Sequence, residues 1–302
     1  MFRFFTILFL VCINLYSTEK SKISFSFDDG STKDYPNYKS DDWNRLLLKT
    51  LDKHSIQAIL FVKGKSLDNS KGEIILESWD NEGHLIGNHT YNHPYYHSSA
   101  VDLDSFKVEL LKADSLINQY ENYVKFFRFP YLKEGNTIEK RDGFRTFLKR
   151  QGYRNGHVTI DASDWYIDNR LVKELKKDSN KLESFREYYV DHLVNRAQYY
   201  DSLAYEITGR RINHNLLLHH NLAAALFLDD FIIKLKVIGW EIVNVEDAYE
   251  DEIYESEVDI LPAGESLIWS LAKKSGKYNN ALRYPAEGKQ YEKPKLDSLL
   301  NN

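Results

Sequence analysis

Two carboxylates, Asp28 and Asp29, stand side by side after the β-prone run Ile23–Phe27, with Gly30 directly behind them. Neighbours on a strand point to opposite sides. The pair can therefore divide two tasks, one carboxylate on a cation and the other accepting a proton. The same letters also close a hairpin as an Asp-Gly turn, and the stretch alone leaves both readings open. His89 and His93 follow, four residues apart. On a helical turn that spacing puts both imidazoles on one face, as chelation needs; two surface histidines fit it equally well. Together with one of the acids, the two imidazoles form the donor set of a hydrolytic metal site, which keeps positions open for water and substrate.

Further chemistry-bearing residues recur where apolar runs end. Arg128 can orient a carboxylate, and Pro130 stiffens the turn behind it. Asp161, Asp164 and Trp165 close the next run. His219 follows "LLL" directly; a histidine there is commonly a packing residue, but it titrates near neutrality and can protonate a leaving amine.

Positioning these groups requires a repeating scaffold. Strand-like runs at 23–27, 57–62, 84–89, 124–131, 157–165, 215–221 and 240–248 alternate with helical patterns at 43–54, 72–82, 103–120, 141–150 and 223–238. Such alternation predicts an α/β fold with a mostly parallel sheet. About seven βα units suit a closed barrel better than a short open sheet, and sites on such folds form at the strands' carboxyl ends. Residues 168–211 break the rhythm. Phe185, Tyr189, Leu193, Ala197, Tyr200, Leu203 and Ile207 recur at three to four residues, the stripe of a helix packed on the barrel's outside; a lid over the site is the alternative. Residues 251–302 read as a partly irregular extension around a domain spanning 22–250.

Composition narrows the class. The 302 residues are 42% apolar with a formal charge of -5, enough for a large core and unlike a nucleic-acid binder. Arg3 precedes an apolar run to about Leu15, then Ser17 and Thr18, the pattern of a secretory signal over 1–18. The expected location is therefore outside the cytoplasm: periplasm, cell envelope or medium. Cys12, the single cysteine, lies inside that segment, so the mature chain has no disulfide. A lipid on Cys12 is the alternative to cleavage, and the only membrane attachment expected apart from the signal. A monomer is expected.

The ordered set "SFDDG" (26–30), "HTYNH" (89–93), "RFPY" (128–131), "DASDW" (161–165) and "LLLH" (216–219) resembles the polysaccharide deacetylases of the NodB-homology type, carbohydrate esterase family 4. The resemblance implies a distorted (β/α)7-type barrel, with the helical segment inserted before the last strands and the C-terminal extension behind. It implies a metal-dependent hydrolase that removes N-acetyl groups from an envelope or extracellular polysaccharide. Carried over by position, Asp28 is the base and Asp29, His89 and His93 hold the metal, with zinc first and cobalt, nickel or manganese as alternatives. Arg128 tunes Asp28, and Asp164 pairs with Arg128 or stays near it. The Tyr131 amide lines the oxyanion hole, and Trp165 and Leu218 wall the acetyl pocket. His219 is the acid, aided by a neighbour such as Asp161. An O-acetyl esterase would use the same residues, and a catalytically inactive sugar-binding barrel is the reading from another class. Ser26 and His220 depart from the family's usual threonine and aspartate.

Overall fold

The computed structural model describes residues 19–177, 181–283 and 288–301, so the signal segment and Cys12 lie outside the described residues. Nine strands are described: β1 (Lys22–Asp29), β2 (Ile59–Val62), β3 (Leu85–Asn88), β4 (Tyr123–Phe127), β5 (Lys133–Gly135), β6 (Arg154–Asn155), β7 (Asn213–His219), β8 (Glu241–Ile242) and β9 (Ala263–Gly264). The main sheet is parallel and runs β6-β4-β3-β2-β1-β7, with β8 against the start of β1. Beyond β6, Ile160 bridges in parallel to Leu216 on β7, the other edge of that sheet. One short stretch of chain therefore touches both edges, and the sheet is curled into a distorted half-barrel. β5 and β9 form a separate antiparallel pair.

Helices α1 (Ser40–Lys53), α2 (Gly64–Leu67), α3 (Ser70–Asn81), α4 (Leu103–Ile117) and α5 (Ile138–Gln151) cover the first strands. Three of these helices carry a side-chain cap: Asn69, Asp102 and Thr137 each accept a backbone N–H of the following first turn, at α3, α4 and α5. α5 stops at Gly152, whose φ of 75° is the left-handed conformation that glycine adopts without a Cβ clash. Trp43, Leu47 and Leu51 of α1 are buried, as are Ile23, Phe25 and Phe27 of β1. Each such large apolar side chain contributes about 1.5–3 kcal/mol on burial.

The long segment forms α6 (Asp164–Leu175) and α7 (Leu182–Thr208). The stripe from Phe185 to Leu203 is buried against α6, α8 (Leu222–Val237) and α10 (Leu267–Ser275), so α7 is an outer layer and not a lid. The C-terminal segment is more regular than expected. After α9 (Val245–Tyr249), α10 and α11 (Lys289–Asn301) place Ile268, Ala272 and Leu296 in the main core.

Two expected strands shrink. Over 157–165 only Ile160 bridges, because Ser163 turns at φ 45° straight into α6. The run 240–248 keeps the two residues of β8; the Asn244 side chain then accepts the Gln57 N–H and α9 begins.

Candidate active site

Strand register brings the singled-out residues to one end of the sheet. Asp28 lies opposite Phe61 of β2 on one side and His219 of β7 on the other, and Asp29 lies opposite Val62. β3 ends at Asn88, immediately before His89, and β4 ends at Phe127, immediately before Arg128. The carboxyl ends of five parallel elements thus meet.

The two histidines do not converge through a helical turn. Residues 89–93 form a loop in which Thr90 and His93 have φ of 64° and 61°. The loop is held from within: Asn88 Oδ1 accepts the Thr90 N–H at 3.0 Å, and Thr90 Oγ1 accepts the His93 N–H at 3.1 Å. Asp29 also has a positive φ, 76°. Left-handed backbone at three non-glycine residues stores strain, as functional sites do.

His89 Nε2 and His93 Nε2 stand 3.1 Å apart, with Asp29 Oδ1 at 3.8 and 3.5 Å from them. Donors bound about 2.0–2.2 Å from a tetrahedral ion lie roughly 3.3–3.5 Å apart, so the spacing fits a small divalent cation. Two further observations support the fit. Asp29 Oδ1 is buried with no hydrogen-bond partner. His89 Nδ1 donates to the Arg128 carbonyl at 2.7 Å, which leaves the Nε2 lone pair facing the cluster. Burial and the neighbouring His93 hold His89 well below its ordinary value, and burial lowers His93 to about 4, so both imidazoles are neutral donors. Burial alone would raise Asp29, but His219, His89 and His93 hold it below the ordinary carboxylate value.

A charge pair flanks the cluster on each side. Arg128 Nη1 donates to Asp28 Oδ1 at 3.1 Å and Oδ2 at 3.3 Å, and both residues are buried. Burial nevertheless pushes Asp28 up to about 6; Arg128 pulls the other way and does not cancel it. Opposite, His219 Nδ1 lies 2.7 Å from Asp164 Oδ1, while Asp164 Oδ2 accepts the His219 N–H at 2.8 Å and Asn221 Nδ2 at 3.1 Å. Burial disfavours the imidazolium, yet Asp164, with Asp29 and Asp28 behind it, pushes His219 up to about 10. Its side chain keeps 23% exposure, so its other face can meet a substrate.

Tyr131 has φ 56° and Leu132 φ 55°, so the turn after Pro130 holds the Tyr131 amide in a fixed direction, while the Tyr131 ring packs on His93 at 4.4 Å. Trp165, 37% exposed, lines a cleft of about 370 Å³ with Asp29 and His219.

Three expectations need correction. Asp164 pairs with His219 and makes no bond to Arg128 among the described residues; it opens α6, where the helix N-terminus stabilises a carboxylate. The acidic partner of His219 is accordingly Asp164 and not Asp161, whose carboxyl is pushed up to about 7 by burial and then by Glu265. Leu218 lies in the core beneath the helices. Strand alternation gives the inner face to Leu217, which packs with Leu132 and Val158. His220, the departure from the usual aspartate, is a buried structural residue: its Nδ1 accepts the Ser31 N–H at 3.0 Å, its Nε2 donates to Asn44 Oδ1 at 2.9 Å, and burial lowers it to about 3.

Some participants had no role assigned from the sequence. Ser26 Oγ donates to Asn215 Oδ1 at 2.7 Å and accepts from Arg128 Nη2 at 3.1 Å. Tyr249 Oη accepts from Arg128 Nη2 at 3.4 Å and donates to the His157 carbonyl at 3.0 Å. Polar Ser24, Ser26 and Asn215 within buried strands were the available signal.

Residues 16–155 match the family model for polysaccharide deacetylases. Over that stretch the chain is similar to polysaccharide deacetylases. It is 29% identical over 147 residues to the peptidoglycan-N-acetylglucosamine deacetylase of Bacillus cereus, covering 48% of this chain and 47% of that one. It thus spans about half the length of that curated relative. To the peptidoglycan-N-acetylmuramic acid deacetylase PdaA of Bacillus subtilis it is 25% identical over 238 residues, 77% of this chain and 73% of the other. A crystal structure of a peptidoglycan N-acetylglucosamine deacetylase superposes with a TM-score of 0.54 at 20% identity, over 77% of this chain and 89% of that one, which shows a shared fold.

Proposed function

We propose that this protein is a polysaccharide deacetylase, a metal-dependent hydrolase that removes N-acetyl groups from an acetylated glycan of the cell envelope. The observation that carries the reading is the three-ligand cluster of Asp29, His89 and His93 standing between an Asp28–Arg128 pair and a His219–Asp164 pair. Zinc suits two imidazoles and one carboxylate, and cobalt, nickel or manganese would fit the same donors.

A divalent cation held there polarises an acetamide carbonyl and makes water a nucleophile at neutral pH. The rest falls to side chains of the chain. Asp28, ionised above about 6 and aimed by Arg128, takes a proton from the attacking water. The Tyr131 amide meets the oxygen that gains charge. His219, held charged by Asp164, delivers a proton to the departing amine. Leu217 and Trp165 bound the space for the acetyl methyl. The set of acid, base and ligands is complete, which supports an enzyme over a binding-only barrel. Export on the 1–18 segment, a catalytic unit over 22–250 and action as a monomer belong to the same proposal. Among the described residues no helix is long and apolar enough to cross a membrane.

The test is acetate release from N-acetylated and O-acetylated glycans, with the protein metal-loaded and after chelation. Acetate matched by new free amines, lost with chelator and restored by metal, is the expected result. Acetate only from O-acetyl esters would make it an esterase, and none from any substrate would overturn the reading.

A further inference from the structure

Of the phenylalanines, tyrosines and tryptophans among the described residues, four are exposed: Tyr95, Tyr131, Trp165 and Tyr205. Tyr205 lies near the end of α7, by the start of β7 and so at the far end of the sheet, with the Arg211 guanidinium 5.2 Å from its ring. The other three stand at the mouth of the candidate active site. Trp165 lines the cleft with Asp29 and His219 on the β7 side. Tyr131 and Tyr95 follow β4 and β3, on the side of the two histidines. Single exposed apolar side chains are ordinary, but a group of them at one place marks a contact surface.

The tyrosines continue the metal cluster outward as one row of rings. Centroids are 4.4 Å apart from His93 to Tyr131, 5.5 Å from Tyr131 to Tyr95 and 5.7 Å from Tyr95 to His97, each contact edge to face. Tyr131 still keeps 55% exposure and Tyr95 46%. The loop beneath Tyr95 is fixed. Tyr96 is fully buried and stacked on Phe106 at 3.9 Å. Lys140 Nζ donates to the Tyr96 and Ser98 carbonyls at 3.0 and 2.8 Å, Asn136 Nδ2 to the His97 carbonyl at 3.0 Å, and His97 Nε2 to the Ala263 carbonyl at 3.0 Å. An exposed ring on a fixed loop loses little freedom when a ligand covers it. A sugar suits it, because the C–H face of a pyranose packs on the ring while its hydroxyls can bond the phenol. We propose that Tyr95, with Tyr131, seats the sugar next to the reacting one, so that the site takes its N-acetylated glycan as a chain and not as single sugars. The inference rests on the deacetylase reading and adds a specificity-determining residue to it. Tyr131 borders the reacting sugar, and Tyr95 meets its neighbour one ring further from His93. Tyr95 touches no reacting atom; it acts by holding the neighbouring sugar.

The experiment uses the metal-loaded protein and a series of neutral N-acetylated oligosaccharides, from a single sugar to about five in a chain, with acetate release followed for each length. In the parent protein kcat/KM should rise about tenfold once the chain is long enough to reach Tyr95, the scale of one aromatic contact. Part of the rise should lie in kcat, because binding energy from a remote sugar positions the reacting one. Tyr95→Ala should lose most of the rise, and Tyr95→Phe, which keeps the ring, should retain it; both are checked for metal content. Binding of the same series to the Asp28→Asn variant, with and without the change at Tyr95, is followed by calorimetry and needs no turnover. The gain in affinity with length should persist as salt rises, as expected of an uncharged contact. Rates independent of length in the parent protein, a length dependence that survives in Tyr95→Ala, or an equal loss at every length including the single sugar overturns the proposal and leaves the deacetylase reading intact. Length-dependent binding that needs the Tyr95 ring, without acetate from any substrate, would sink the deacetylase reading and keep the sugar seat.

Discussion

Two carboxylate–cation pairs flank the candidate metal site, and they behave in opposite ways. In the Asp28–Arg128 pair the carboxyl is the member that titrates near neutrality, pushed up to about 6. In the Asp164–His219 pair the cation titrates, pushed up to about 10. The difference lies in the partners. Asp28 shares its guanidinium with Gly156, Ser26, Asn215 and Tyr249, and burial outweighs what remains. Asp164 accepts three bonds at a helix N-terminus, so its charge is well supported and is passed to His219. Similar contacts thus produce a base in one place and an acid in the other.

Removing the cation that both pairs serve should give the largest effect. His93→Ala should lose the bound divalent ion, measured by elemental analysis, and with it activity to the limit of detection, while circular dichroism stays unchanged. Full metal content in that variant would remove His93 from the ligand set. Breaking the first pair comes next. Asp28→Asn should keep the metal and lose about 10³–10⁴ in kcat, the upper range for a general base. Should it lose the metal instead, the two aspartates have exchanged roles.

Breaking the second pair should depend on the leaving group. His219→Ala should slow amide cleavage about 10²–10³-fold and an activated aryl ester far less, since a phenolate leaves without a proton. Equal losses on both substrates would dismiss His219 as the acid.

The pH profile sharpens the contrast. Activity needs Asp28 deprotonated and His219 protonated, so it should fall below about 6 and again toward about 10. A bound divalent cation disfavours added positive charge, so both limbs should move to lower pH when metal is present. Asp164→Asn should move the alkaline limb downward, and by more than the acidic limb, because it removes the charge that chiefly holds the imidazolium; an unmoved alkaline limb would assign it to another group. The smallest effect should come from Tyr249→Phe. It deletes one contact to Arg128 and one to the His157 carbonyl, so stability to urea should fall by about 0.5–1.5 kcal/mol with activity reduced a few-fold.

Much of this architecture was legible in the chain. The period of apolar residues marked β1, β2, β3, β4 and β7 and the helices between them, because strands and helices repeat at two and near four residues whatever packs on them. The stripe on α7 was legible for the same reason, and so was its place outside the barrel. Asp28 and Asp29 at one strand end and the histidine spacing pointed to the cluster. Edge segments were less legible. Over 157–165 the β-prone letters were overridden by the left-handed turn of Ser163 into α6, and over 240–248 by Asn244, whose side chain bonds Gln57 far along the chain.

The sequence by itself determined the kinds of chemistry available and their order along the chain, since strand ends and residue types are local properties. Only the tertiary structure decided who partners whom. Asp164 lies three residues from Asp161, yet the helix that starts at Asp164 gives its carboxylate to His219, 55 residues away. Leu217 and Leu218 differ by one position, and the register of β7 against β1 gives the inner face to Leu217. His219 and His220 are neighbours too, but one faces the cleft and the other is locked under Trp43. Pairing energies depend on distance and burial, and the fold sets both.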